Sequence, residues 1–115
     1  MNIEAEIIEY LNRVLTVPVS ADVPKNRPKQ FVTIERTSGN LSDVALDHAS
    51  IAVQSWAKTR TEASELSEKV DTAMVEMNHP NITRIVRDSI YNWPDTDYSM
   101  ARYQGVYDVI FYKEY

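Results

Sequence analysis

The sequence predicts an α+β fold: a mainly antiparallel sheet of four to five strands with two amphipathic helices packed on one face, in the order α-β-β-β-α-β-β. Three observations lead there. Apolar residues recur at steps of three and four in two stretches, strand-like alternation fills most of the rest, and proline, glycine or asparagine breaks separate the pieces.

Asn2 can cap a first helix running to about Leu15, with Ile3, Ile7, Ile8, Leu11, Val14 and Leu15 on one face and Glu4 near the positive end of the dipole. Val17, Val19, Ala21 and Val23 then alternate with Pro18, Ser20 and Asp22, which restricts this piece to an edge strand or extended arm. Lys25 to Lys29 is a loop. Phe31 to Thr37 alternates as a half-buried antiparallel strand, and Ser38-Gly39-Asn40 is a turn signal. A longer strand from about Ala45 to Ala57 carries Ile51 and Val53 on one face and Ala52, Gln54 and Trp56 on the other.

At Thr59 the pattern changes from period two to period 3.6. Thr59 and Glu62 form a capping box, and Ala63, Leu66, Val70, Ala73, Met74 and Met77 make one apolar stripe that needs a sheet to pack against. Asn78 to Asn81, with Pro80, ends this helix. Ile82 to Tyr91 is a further strand, a loop follows from Asn92 to Met100, and a last strand spans about Arg102 to Tyr112. Gly105 inside that strand marks a bulge or a close backbone approach. With no repeat, linker or low-complexity tract, residues 1–115 are expected to form one domain.

A formal charge of −5 argues against a general nucleic-acid binder, which neutralises phosphates with a basic face. There is no cysteine, so neither disulfides nor thiolate metal sites exist; this fits a cytoplasmic origin. The acidic N-terminus argues against an export signal, and no apolar run is long enough to span a bilayer. Asp47-His48 lacks the nucleophile elbow and oxyanion glycines a hydrolase needs, and Asp95-Thr96-Asp97 lacks the later ligands of a calcium loop. No catalytic residue, cofactor or metal is therefore implied. Lys25, Arg27 and Lys29 form the basic cluster, suited to an acidic partner surface or DNA backbone. Six of the seven tyrosines lie in the last quarter, which favours interface use of that region.

Val17-Pro18-Val19 through Val23-Pro24, Arg27-Pro28 and Phe31-Val32 resemble the opening of small tail terminator proteins of long-tailed bacteriophages. Ala52-Val53-Gln54-Ser55-Trp56-Ala57, Thr61-Glu62-Ala63, Tyr91-Asn92-Trp93-Pro94-Asp95 and Arg102-Tyr103-Gln104 continue the likeness over nearly the whole chain. The resemblance implies a non-enzymatic α+β subunit that forms a ring, usually a hexamer, on the head-proximal end of the tail tube of the virion. Its partners would be further copies of itself, the major tail (tube) protein and the head-tail connector, with DNA passing through without sequence-specific binding and no membrane involved. Capsid-side neck or head-tail joining proteins are similar enough to remain an alternative, and a small α+β ligand-binding domain is a third reading. The contact residues expected are Lys25, Arg27 and Lys29, then Asn40, Leu41, Ser42 and Asp43, then Trp93, Pro94, Asp95, Asp97 and Tyr98.

Overall fold

A computed structural model describes residues 2–41 and 45–112. Its elements are α1 (Ile3–Val14), β1 (Val19–Ser20), β2 (Phe31–Leu41), β3 (Leu46–Ala57), α2 (Arg60–Glu76), β4 (Ile82–Asn92) and β5 (Ala101–Tyr112). The sheet order is β1-β2-β3-β5-β4, with β1 parallel to β2 and every other pair antiparallel. The molecule is an α+β fold in the predicted element order.

Both helices begin where local chemistry starts them. The Asn2 side chain accepts the Ala5 amide proton at 3.1 Å, and the Thr59 hydroxyl oxygen accepts that of Glu62 at 3.2 Å. The Glu62 carboxylate takes the Thr59 hydroxyl proton at 3.2 Å and the Gln30 amide at 3.2 Å, so the cap also ties the loop before β2 to α2.

One face of the sheet packs on both helices. Val32, Ile34, Ile51, Val53, Tyr107 and Val109 lie in register on adjacent strands and meet Ile3, Ile7 and Leu11 of α1 and Leu66, Val70 and Met74 of α2. Leu11, Met74 and Tyr107 are wholly buried. Gly105 belongs to this face: a Cβ there would lie 2.9 Å from the Tyr107 ring, so the ring occupies the space a side chain would need. The Tyr107 hydroxyl donates to Asp71 of α2 at 3.0 Å, and Arg87 of β4 pairs with the other Asp71 oxygen at 2.6 Å. These contacts join β5, α2 and β4.

Of two sequence expectations about strands, one is met and one needs correction. The stretch from Val17 to Val23 does supply an edge strand, although only Val19 and Ser20 pair with the sheet, in parallel. Asn12 explains where pairing stops: its side-chain amide accepts from the Val19 N–H at 3.0 Å and donates to the Val19 carbonyl at 2.8 Å, closing the outer edge of β1. Ser38-Gly39-Asn40 is not a turn but part of β2, paired with Ser50, Ala49 and His48 after a register shift between Arg36 and Ser38. Ladder hydrogen bonds to β3 outweigh the local turn preference there.

Candidate interaction surface

The helix-free face of the sheet is organised in rows that run across the strands. Phe31 pairs with Trp56, and Trp56 with Arg102, in register. Trp93 donates its backbone N–H to the Arg102 carbonyl at 2.8 Å and extends the row. Phe31 and Trp56 stack at 5.3 Å between centroids with planes 13° apart. The Arg102 guanidinium then lies over Trp56 at 4.8 Å and over Trp93 at 4.0 Å, between two indole rings. Each such contact contributes about 0.5–2 kcal/mol, so the pair anchors the β4–β5 loop on the sheet.

Behind this row runs a polar one. Thr33, Gln54, Gln104 and Tyr91 are in register on β2, β3, β5 and β4. The Thr33 hydroxyl donates to Gln54 at 2.8 Å, the Gln54 amide donates to Gln104 at 2.7 Å, and the Gln104 amide donates to the Tyr91 hydroxyl oxygen. The Trp56 indole N–H donates to the Thr33 hydroxyl at 2.9 Å and links the two rows. Thr33, Gln54 and Gln104 are buried, and their mutual hydrogen bonds offset the cost of that burial.

Two loops close over this end of the sheet. In the β4–β5 loop Asp95 accepts the Tyr98 N–H at 2.5 Å with one oxygen and lies 3.8 Å from Arg102 with the other. Tyr98 packs edge-on against Trp56 at 5.8 Å, and Arg27 from the β1–β2 loop lies over the Tyr98 ring at 4.5 Å. Ser99 is held at φ 53°, a left-handed conformation that costs a non-glycine residue about 1 kcal/mol. Tyr98 forms a wall shared by two clefts. One, of about 320 Å³, is lined by Asp22, Glu35, Asp95 and Asp97 with Trp56 and Trp93. The other, of about 400 Å³, is lined by Arg27, Lys29 and Lys58 with Ser99 and Met100.

The sequence-predicted contact residues fall into two groups. Arg27, Lys29, Trp93, Asp95, Asp97 and Tyr98 converge at this end, although the first two are far from the rest in sequence. Lys25 and Pro94 are exposed on the same two loops. Asn40 and Leu41 end β2 at the far end of the sheet, and Ser42 and Asp43 lie outside the described residues. The length of β2, at about 3.3 Å per residue, puts roughly 30 Å between the groups.

Asp95 spends both oxygens inside the chain, so it shapes the loop. Sequence reasoning missed Arg102 and Lys58 as members of this end. Arg102 sits in a strand, where alternation says only which face it occupies; Lys58 stands alone between the end of β3 and the Thr59 cap, where no local pattern singles it out.

Among the described residues no group of histidines and carboxylates could hold a metal ion, and no helix is long and apolar enough to cross a membrane. The sequence matches no protein-family model and no curated protein.

Proposed function

We propose that this chain is a structural subunit of a phage or prophage tail, a tail terminator that assembles as a ring, caps the tail tube and offers a surface to the head connector. The observation that carries the proposal is geometric. A molecule 44 Å long and about 24 Å across gathers loop residues from three distant segments at one end of the sheet, while the paired ends of β2 and β3 at Leu41 and Asp47 lie at the other. Such a body is suited to touching different partners at its two ends. The motif resemblance over nearly the whole chain supplies the identity of those partners.

The expected behaviour is measurable in the phage or prophage that encodes it. Deleting the gene should give overlong tails in electron micrographs, and the purified chain added to polymerising tube protein should cap it and shorten the tubes. Tails of normal length beside unattached, DNA-filled heads would overturn the terminator role in favour of a capsid-side joining protein. Normal virions would sink both.

A further inference from the structure

We infer that the cleft between Arg27, Lys29, Lys58 and Tyr98 is a carboxylate-binding site that takes an acidic peptide segment of a partner protein. The inference rests on taking this end of the molecule as an interface, but not on the assembly being a phage tail. Three observations carry it.

First, the fold brings together three cations from two segments. Arg27 and Lys29 come from the β1–β2 loop and Lys58 from the residue after β3, and among the described residues no acidic one lines the cleft with them. Among the described residues none of the three forms an ion pair, although the chain carries an excess of acidic residues. Mutual repulsion between uncompensated cations opposes this arrangement, and a bound carboxylate removes it.

Second, the cleft is built rather than incidental. Its wall is the Tyr98 ring, which is fixed by Trp56 on its edge, by Arg27 on its face and by Asp95 at its backbone. Its lining includes Ser99, held in the left-handed region, and Met100, so apolar contact is available beside the charges. A volume of about 400 Å³ matches a side chain or two and not an extended polymer surface.

Third, the surroundings select protein over nucleic acid. Across the Tyr98 ring lie Asp22, Glu35 and Asp97, in the cleft that shares this wall. A duplex laid over Arg27, Lys29 and Lys58 would also bring its phosphates against those carboxylates. A peptide segment can enter the basic cleft alone, with glutamates on the cations and an apolar neighbour on Tyr98 and Met100.

The test is a titration of the isotopically labelled protein with a short peptide of alternating glutamate and leucine, followed by amide NMR. The result expected is saturable shifts confined to residues 27, 29, 58 and 98–100, weakened about tenfold or more by Lys58→Glu or Lys29→Glu. Binding should also weaken by about tenfold as salt rises from low to molar concentration, where screening shortens to about 3 Å. Lys29 and Lys58 are exposed, so both variants should keep the dispersed spectrum of the folded chain, which the same experiment reads. No localised shift, equal shifts with the glutamine analogue of the peptide, or tighter binding of a short DNA duplex at the same residues would each overturn the inference. Tail length in the deletion phage does not bear on this outcome, so the two proposals fail separately.

Discussion

Gly105 and Tyr107 show how one small residue licenses one large one. The ring of Tyr107 fills the space where a Cβ at position 105 would sit, with ring atoms at 2.9 to 3.2 Å from it. Tyr107 is wholly buried and bonded to Asp71, so it has no free volume to move into. Gly105→Ala should therefore destabilise the fold by about 1–3 kcal/mol, the usual cost of overpacking, measured as a lower urea midpoint. Burial, and after it the Asp71 carboxylate, push the Tyr107 phenol well above the ordinary tyrosine range. The folded chain then keeps a proton that the unfolded chain releases above about pH 10, so this contribution to stability is complete below that pH and declines as pH rises. Tyr107→Phe should cost about 1–2 kcal/mol at neutral pH and make the alkaline fall in stability less steep than in the parent chain. Equal alkaline slopes in the two proteins would show that other groups govern it.

The polar row across β2, β3, β5 and β4 makes a second kind of demand, because each member satisfies its neighbours. Gln54 accepts from Thr33 and donates to Gln104, so Gln54→Ala leaves two buried partners short of a hydrogen bond as well as opening a cavity. A loss of about 2–4 kcal/mol is expected by urea denaturation, more than for an exposed glutamine. Gln104→Ala alone should cost less, since Tyr91 at the end of the row is exposed and can turn to water. Hydrophobic period and capping residues made the helices and most of the strands readable from sequence, because those signals are local. The row was not readable: Gln54 and Gln104 are paired by strand register, and alternation alone gave Gln54 a face but no partner. Likewise β1 was cut short by Asn12 from α1, and Ser38 to Asn40 were drawn into β2 by β3, both through contacts distant in sequence. At the candidate surface, the basic loop and the Trp93–Tyr98 loop each stood out by composition, while their meeting around Arg102 and Lys58 depended on the sheet order.

Over the whole molecule the two groups of proposed contact residues are separated by the length of the sheet. At physiological salt a screening length of about 8 Å is far shorter than the roughly 30 Å between them, so charge changes at one end should not reach the other through the solvent. The β2 and β3 ladder between the ends is continuous apart from the single shift at Arg36, which leaves no evident hinge to carry a conformational signal. Substitutions at the two ends should then act additively. If the ends serve different partners, a Lys29→Glu chain should lose binding to one of tube protein and connector while keeping the other, a Leu41→Asp chain should do the reverse, and the double variant should lose both. Pull-down of each purified partner by each variant measures this. Loss of the same partner in both single variants would mean that one partner spans the molecule from end to end, and the two-ended arrangement would have to give way to a lateral one.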